Sequence, residues 1–238
     1  MAEVCVQAVP CLRDNYAYLV RCEETGHVAV VDPSEAEPVQ AALEGFGGVL
    51  KAIWNTHHHW DHVGGNDGLL EMRPALRVVG HESDRGRIPG QTDFVKDGEI
   101  VSLGKLKASI RHVPAHTTGA IAYFVGDEVF TGDTLFLAGC GRLFEGTPEM
   151  MFKSLAHFGA HCKPESRLWV GHEYTSSNLR FAHAAEPNNS AVKYALEQSE
   201  QQAQTVPGTW AQELAVNPFV RAETVEDLAR LRAWKDTF

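Results

Sequence analysis

The sequence predicts a layered α/β fold followed by a small helical unit. Up to about residue 172, short apolar or alternating runs typical of strands are separated by turn residues and interrupted by helical patterns. After residue 172 the strand signals stop and only helical patterns remain. Histidines and acids also recur where the predicted strands end. We therefore expect two sheets, or one large mixed sheet, with helices outside in a domain 1–172, and an all-helical domain 173–238.

The predicted strands share a short apolar or alternating pattern between turn residues. In chain order they are Val4–Val9, Ala17–Cys22, Val28–Asp32, Val49–Asn55, Arg77–Val79, Ile100–Leu103, Lys107–Val113, Ile121–Val125, Glu128–Phe130 and Leu168–Val170. Helical patterns interrupt them at Ala36–Phe46, Asp67–Arg73 and Pro148–His157.

The C-terminal region contains helical patterns that prolines separate from one another. The predicted helices are Ser177–Ala185, Ala191–Ala203, Trp210–Ala215 and Thr224–Trp234, and the breaks fall at Pro187, Pro207 and Pro218.

Composition narrows the class of protein. The chain has 238 residues and a formal net charge of −10, which disfavours a nucleic-acid partner because phosphate binding needs a basic surface. No apolar run approaches the roughly 20 residues needed to cross a bilayer. The five cysteines are scattered, and the N-terminus lacks the pattern of a signal peptide. These features predict a cytoplasmic protein with no membrane partner, and for its oligomeric state we expect a monomer.

The run Thr56–His62 carries the strongest chemical signal. Its residues His57, His59, Asp61 and His62 directly follow a predicted buried strand. In an extended segment His57 and His59 point the same way and can share one metal, whereas Asp61 and His62 can face a second. Imidazole and carboxylate ligands suit zinc, iron or manganese, and the absence of thiolates disfavours a closed structural zinc site.

Three further ligand-type residues stand at predicted strand ends. His116 follows Lys107–Val113, Asp133 follows Glu128–Phe130, and His172 follows Leu168–Val170. Ligands repeated at strand ends are what a site on one rim of a sheet requires, so we expect these three residues to join the run Thr56–His62.

The assembled pattern resembles the metallo-β-lactamase superfamily, whose signature T-H-x-H-x-D-H is met by Thr56–His62. Within it, the chain resembles the glyoxalase II (hydroxyacylglutathione hydrolase) family nearly from end to end. The matching segments are Leu12–Tyr16, Gly132–Phe136, Gly139–Thr147, Gly171–Thr175, Asn217–Arg221 and Arg232–Lys235.

The resemblance implies an αββα sandwich with a helical substrate domain and two divalent ions, zinc first, with iron or manganese as alternatives. One ion would be held by His57, His59 and His116, and the other by Asp61, His62 and His172. Asp133 would bridge them together with a water or hydroxide. The substrate implied is an S-(2-hydroxyacyl)glutathione, foremost S-lactoylglutathione, whose thioester is hydrolysed as in methylglyoxal detoxification; Asp61 would also orient the nucleophile.

The resemblance further implies the residues that hold the glutathione part. They are Arg142, Phe144, Tyr174, Asn178, Arg232 and Lys235. Cations among them suit the two carboxylates of glutathione, and Phe144 stands where several relatives have tyrosine. Two departures affect the loop of His116: Ala115 replaces the usual glycine before it, and Ala120 replaces a histidine often seen four residues after it. We expect the geometry of His116 to be the most perturbed.

Two alternatives remain open at this level. A persulfide dioxygenase of the same superfamily would use a single iron and three protein ligands, leaving His62 and His172 without metal. A non-catalytic metal-binding protein would use the same residues without turnover. No Gly-x-Ser-x-Gly elbow supports a serine acyl-enzyme route.

Overall fold

The computed structural model describes residues 2–238, which form two six-stranded sheets with helices packed outside them. The first sheet keeps the chain order of its strands, which are β1 (Val4–Cys11), β2 (Asn15–Cys22), β3 (His27–Val31), β4 (Val49–Trp54), β5 (Arg77–His81) and β6 (Asp93–Val95). Strands β1 to β3 pair antiparallel, and β3 to β6 pair parallel.

One edge strand of the second sheet comes from the C-terminal region. Its strands are β7 (Ile100–Leu103), β8 (Leu106–His112), β9 (Ile121–Val125), β10 (Glu128–Gly132), β13 (Arg167–Val170) and β14 (Gly208–Thr209), in the spatial order β14-β13-β10-β9-β8-β7. Only β10 and β13 pair parallel. A separate hairpin consists of β11 (Leu135–Phe136) and β12 (Gly139–Cys140).

Eight helices complete the described part of the chain. They are α1 (Ala36–Phe46), α2 (Trp60–Val63), α3 (Asn66–Met72), α4 (Pro148–Gly159), α5 (Thr175–Ala185), α6 (Ser190–Ser199), α7 (Trp210–Val216) and α8 (Val225–Thr237), besides a short 3-10 turn at Glu82–Asp84. None of the helices within residues 2–238 is both long and apolar enough to span a membrane.

The alternation of side chains on β2 explains how the first sheet is buried on both faces. Successive residues of a strand point to opposite faces. Tyr18 and Val20 belong to the large core shared with the second sheet. Ala17 and Leu19 pack instead in the core that contains the α1 side chain Leu43. The result is the α–β–β–α layering expected from the sequence.

Local chemistry fixes the helix starts. Thr147 caps α4 by accepting a hydrogen bond from the Met150 amide, and proline follows at the first helical position. Thr209 and Gln212 form a reciprocal capping box at α7. These caps satisfy amides that would otherwise lack partners at the first turn.

The structure corrects the sequence-based elements in a few places. Strand β14 lies after residue 172, where only helices were expected, and it pairs antiparallel with β13. A two-residue strand is too short to show alternation, as are the two strands of the β11–β12 hairpin. Helix α6 ends at Ser199 rather than Ala203, because the backbone turns at Glu200–Gln202. Helix α8 runs on to Thr237, since no glycine or proline stops it.

Candidate metal centre

Every predicted metal ligand follows the carboxyl end of a strand. The run Thr56–His62 begins two residues after β4, and His116 follows β8. Asp133 comes directly after β10, and His172 follows β13. Because β10 and β13 are parallel neighbours, their ends deliver Asp133 and His172 to the same rim.

Three histidines converge on one point. Nδ1 of His59 lies 3.1 Å from Nε2 of His57 and 3.0 Å from Nε2 of His116. These nitrogens lie close enough for one ion to contact all three. His57 and His116 are buried, whereas His59 is partly exposed toward the adjoining cavity.

A second group lies beside the first and contains one acid. Oδ2 of Asp61 lies 3.4 Å from Nε2 of His172 and 3.8 Å from Nε2 of His62. These three atoms again fall within reach of a single ion. The family resemblance implies the same two groups, and the ligand atoms of Asp32, His57 and His62 also lie within reach of a single ion.

Asp133 lies between the two groups. Its Oδ1 is 3.2 Å from Nε2 of His62, and its Oδ2 is 3.4 Å from Nε2 of both His116 and His172. The approach requires glycine at position 171, because a Cβ there would lie 2.2 Å from Oδ1 of Asp133. One carboxylate therefore faces ligands of both groups.

Outer hydrogen bonds orient the imidazole rings. Nδ1 of His62 faces Oδ2 of Asp32 at 3.0 Å, and Nδ1 of His172 faces Oδ1 of Asp14 at 2.9 Å. Nδ1 of His116 lies 2.9 Å from the carbonyl oxygen of Arg142. A proton on Nδ1 satisfies each contact and leaves Nε2 free to bind a metal.

Sequence reasoning missed these outer residues. Asp32 also accepts hydrogen bonds from the Thr56 amide at 2.7 Å and hydroxyl at 2.6 Å, which ties the ligand run to the end of β3. Asn15 donates to Oδ2 of Asp61 at 3.1 Å. Asp14 and Asn15 stand in a recognised motif, and Asp32 is an acid at a strand end with a φ of 46°, which are the signals that point to them.

The two groups differ in the charge state of their histidines. Burial, followed by the neighbouring His116, lowers the pKa of His59 to about 4, and burial also lowers the pKa of His57 and His116. Burial opposes a charge on His172, yet its contacts with Asp133 raise its pKa to about 10. The pKa of His62 is likewise raised, because Asp133 and Asp32 outweigh burial.

The residues fit divalent ions. Nε2 of His62 and Oδ1 of Asp133 are buried without a hydrogen-bond partner among residues 2–238, although they face each other. Buried polar atoms without partners are rare in stable proteins. An all-imidazole and carboxylate donor set suits zinc, iron or manganese.

The metal ligands open into a cavity of about 760 Å³ that contains all of the predicted substrate residues. Those residues are Arg142, Phe144, Tyr174, Asn178, Arg232 and Lys235. Trp60 also lines this cavity and is 69% exposed. The predicted metal ligands and the predicted substrate residues therefore line the same cavity.

The cations that line this cavity differ in exposure and in the contacts that they already make. The Arg142 side chain is 65% exposed, and its Nε lies 3.8 Å from Oδ1 of Asp236. Arg232 is only 5% exposed and donates to the Cys140 carbonyl at 2.8 Å and to Asp236 at 2.8 Å. Burial, then Arg232 and Arg142, lowers the pKa of Lys235. Arg232 is therefore buried against the β11–β12 hairpin and does not extend from α8 into solvent.

The other predicted substrate residues lie at defined distances from the ligands. The Tyr174 ring stacks on His172 with centroids 4.7 Å apart. The exposed Phe144 ring lies 5.6 Å from His59 and 5.3 Å from His116. Asn178 is buried and donates to the carbonyl of Leu137 at 3.1 Å, so its amide group is already in use.

The loop of His116 accommodates its two alanines. Neither Ala115 nor Ala120 has a positive φ, so alanine replaces glycine here without backbone strain. Ala115 is fully buried, and the close neighbour is Gly146, where a Cβ would lie 2.5 Å from Cα of Ala115. Small residues on both sides of this contact allow His116 to reach His59 and the Arg142 carbonyl.

Family models match the chain on both sides of residue 172. The model described as metallo-beta-lactamase superfamily matches residues 12–180. The model described as hydroxyacylglutathione hydrolase C-terminus matches residues 173–238. Together the two models account for most of the chain.

Relatives match over nearly the full length. A hydroxyacylglutathione hydrolase of Synechococcus sp. (strain JA-2-3B'a(2-13)) is 46% identical, with 98% of this chain and 99% of the relative covered. The cytoplasmic hydroxyacylglutathione hydrolase of Arabidopsis thaliana is 43% identical, with 92% of this chain and 88% of the relative covered.

Solved structures share the fold. ETHE1 from Myxococcus xanthus matches with a TM-score of 0.75 and 24% identity over 96% of this chain and 90% of that chain. The protein TTHA1623 in a di-iron-bound form matches with a TM-score of 0.59 and 28% identity over 70% of this chain and 91% of that chain. The family models and the relatives that match over nearly the full length show that the chain belongs to the hydroxyacylglutathione hydrolase family of the metallo-β-lactamase superfamily.

Proposed function

We propose that this enzyme hydrolyses the thioester of S-(2-hydroxyacyl)glutathione, foremost S-lactoylglutathione, to glutathione and a 2-hydroxy acid. The observation that carries the proposal is one cavity that joins the His and Asp ligand groups to the cations Arg142, Arg232 and Lys235. The names of the relatives support the same substrate class.

We propose two bound divalent ions, with zinc first and iron or manganese as alternatives. His57, His59 and His116 would hold one ion, and Asp61, His62 and His172 the other; Asp133 would contact both. Support comes from the group of His57, His59 and His116 and the group of Asp61, His62 and His172, which share no residue with each other, and from the di-iron-bound form of a protein 28% identical to this chain. A single-iron site would leave His62 and His172 without a role.

Bound here, such ions would lower the pKa of a water molecule to about 7 and polarise the thioester carbonyl. Asp61, whose Oδ2 accepts a hydrogen bond from the Asn15 side chain at 3.1 Å, would orient the attacking water. The leaving thiol has an ordinary pKa near 8.5, so it departs as a thiolate without a strong general acid.

The glutathione part is assigned to the rest of the cavity. Arg142 and Lys235 offer positive charge to its carboxylates, which suits anion recognition in a chain of net charge −10. Arg232 contributes positive potential while it holds the Cys140 carbonyl. Tyr174 and Phe144 provide flat walls beside the ligand histidines. Asn178 supports the wall through Leu137.

We also propose that residues 1–172 form the catalytic domain and residues 173–238 the substrate-binding domain. The helical region supplies Tyr174, Asn178, Arg232 and Lys235 to the cavity, which supports this division. A cytoplasmic location and a monomeric state are proposals of the same kind. The location is supported by five free cysteines and by the cytoplasmic relative from Arabidopsis thaliana.

The direct test is thioester hydrolysis by the purified enzyme. S-lactoylglutathione is supplied, and released thiol is measured before and after removal of metal by a chelator. Chelator-sensitive release of one thiol per thioester lost is expected. Absence of thiol release, or consumption of oxygen with a glutathione persulfide instead, would reject the hydrolase.

A further inference from the structure

The β11–β12 hairpin separates two cavities. Phe136 and Cys140 line the metal cavity. Leu137 and Ala138, at the tip between the strands, line a second cavity of about 400 Å³ under helices α5, α6 and α7. The two cavities share no lining residue, so the hairpin separates them, and behind its tip Ala138 packs in a small apolar cluster with Leu179, Ala182, Val192 and Val216.

The hairpin backbone is held by polar side chains of the helical region. Oε2 of Glu213 accepts a hydrogen bond from the Ala138 amide at 2.9 Å. Nδ2 of Asn217 donates to that same oxygen at 2.7 Å and to the Gly139 carbonyl at 3.0 Å. Asn217 also accepts at Oδ1 from the Phe219 amide at 3.0 Å, which fixes its own position.

Burying the polar side chains of Glu213 and Asn217 costs desolvation free energy. Glu213 is 2% exposed and Asn217 is fully buried, and Glu213 forms no ion pair with any residue of the described chain 2–238. Burial raises the pKa of Glu213 to about 7. An apolar side chain of similar volume would avoid the desolvation of a carboxyl group. It would also leave the Ala138 amide and the Asn217 side-chain amide without their acceptor, so the role of Glu213 is tied to these two hydrogen bonds.

The hairpin tip is itself strained. Ala138 has a φ of 57°, in the left-handed region that a residue with a Cβ disfavours. Strain of this kind persists only where the surroundings hold the backbone. The Ala138 amide is the group that Glu213 binds, so the hydrogen bond acts at the strained residue.

On its other side the hairpin touches the metal ligands. The Phe136 ring packs edge-on against His172, with centroids 5.8 Å apart, and against Tyr174 at 5.2 Å. A shift of the hairpin toward the second cavity would withdraw Phe136 from both rings. His172 would then lose the wall that restricts its orientation.

We propose that Glu213 and Asn217 are positioning residues, which hold the β11–β12 hairpin so that Phe136 packs against the metal ligand His172. They touch neither the metal cavity nor its ligands, and they act through the hairpin backbone. The inference rests on the proposed hydrolase function for its kinetic readout, and two other readouts are independent of it.

The test compares three substitutions in the metal-loaded enzyme. Glu213→Leu removes the acceptor and roughly keeps the volume. Glu213→Gln keeps an acceptor oxygen for Ala138 and Asn217. Asn217→Asp removes the donor to Gly139 but keeps the acceptor for Phe219, and it serves if Glu213→Leu does not fold. Glu197→Leu, an exposed residue of α6, is the matched control.

Glu213→Leu and Asn217→Asp should lower kcat on S-lactoylglutathione about tenfold, with a smaller change in KM. Titration against a competing chelator should show about tenfold weaker affinity for the ion assigned to Asp61, His62 and His172. Amide exchange in 135–140 should accelerate in the same variants. Glu213→Gln and Glu197→Leu should match the parent.

The inference is overturned if Glu213→Leu keeps kcat, metal affinity and slow exchange, or if Glu213→Gln fails as badly as Glu213→Leu. If the parent enzyme hydrolyses no thioester, the proposed function fails. Metal affinity and amide exchange then still decide the role of the two residues.

Discussion

Nε2 of His62 lies 3.2 Å from Oδ1 of Asp133, and both atoms are buried without a hydrogen-bond partner within residues 2–238. The other oxygen of Asp133 lies 3.4 Å from His116 and from His172, which belong to different ligand groups. Asp133 therefore faces ligands of both groups, as the proposed bridging role requires.

Asp133→Asn should reduce the metal bound per chain. The amide removes the negative charge that faces both ligand groups, so the second ion should be lost on dialysis. The loss of activity should exceed the roughly 10–100-fold typical of an outer hydrogen-bond partner. Metal analysis of dialysed protein is the measurement, and Asp67→Asn, an exposed acid on α3, is the control. Unchanged metal content in Asp133→Asn would remove the bridging role.

The two ions should respond differently to pH. In the metal-free chain the raised pKa values keep His172 and His62 protonated at neutral pH, so a metal must displace those protons. His59, with a pKa lowered to about 4, is already neutral, as are His57 and His116. Affinity of the group with Asp61 should fall as pH drops from 8 to 6, while affinity of the three-histidine group stays nearly constant.

Competitive chelator titrations at several pH values measure both affinities. Calorimetry in two buffers of different ionisation enthalpy counts the protons released by each ion. Equal proton release for the two ions would contradict the assigned charge states.

Arg142 and Lys235 should affect substrate binding more than turnover. A hydrogen bond to a charged group contributes about 1.5–3 kcal/mol, so Arg142→Ala and Lys235→Ala should each raise KM about tenfold or more with a smaller change in kcat. Arg230→Ala, on the same helix as Lys235 but outside the cavity, is the matched control. Steady-state kinetics on S-lactoylglutathione decide the matter, and an unchanged KM in both variants would take these residues out of the site.

Arg232→Ala should behave differently from the other two cation variants. Arg232 is 5% exposed and holds the Cys140 carbonyl, so its loss should lower the unfolding temperature as well as raise KM. Thermal unfolding of Arg232→Ala beside Arg142→Ala makes the comparison. Equal unfolding temperatures would show that the contact with Cys140 contributes no stability.

Glu213 should make folding stability depend on pH. Burial raises its pKa from 4.5 to about 7, so the folded chain binds a proton more tightly than the unfolded chain. The stability contribution is greatest below pH 4.5 and declines as pH rises to about 7, by about 3 kcal/mol in total. Glu213→Gln removes this dependence. The difference in unfolding free energy between variant and parent should therefore favour the variant increasingly from pH 5 to pH 8.

Urea unfolding of the metal-loaded proteins at these two pH values is the measurement. Glu197→Gln, an exposed acid on α6, should show no such trend. A difference that stays constant with pH would show that Glu213 titrates normally.

Much of this architecture is readable from the sequence because its causes are local. Ala36–Phe46 is helical with the bounds that the pattern predicts, and its buried residues Val39, Leu43 and Phe46 follow helical spacing. The candidate ligands are readable because ligand-type residues follow apolar runs, whereas their division into two groups is what the family resemblance implies. Parallel pairing brings the ends of β10 and β13 to one rim, but β8, which precedes His116, pairs antiparallel with its neighbours.

The remainder depends on contacts between distant segments. Strand β6 and the β11–β12 hairpin have two or three residues per strand and show no usable alternation. The partnership of Asp14 with His172 spans 158 positions, and no local pattern encodes it. The same holds for Glu213, whose carboxyl group meets Ala138 across 75 positions.

The most direct test of the central claim is a titration of the metal-free enzyme with zinc, with the rate of thiol release from S-lactoylglutathione followed against the metal bound per chain. A two-ion thioester hydrolase predicts that the rate reaches its plateau at two bound ions per chain and that Asp133→Asn does not reach it. A plateau at one ion, or no thiol release at any loading, would contradict the account.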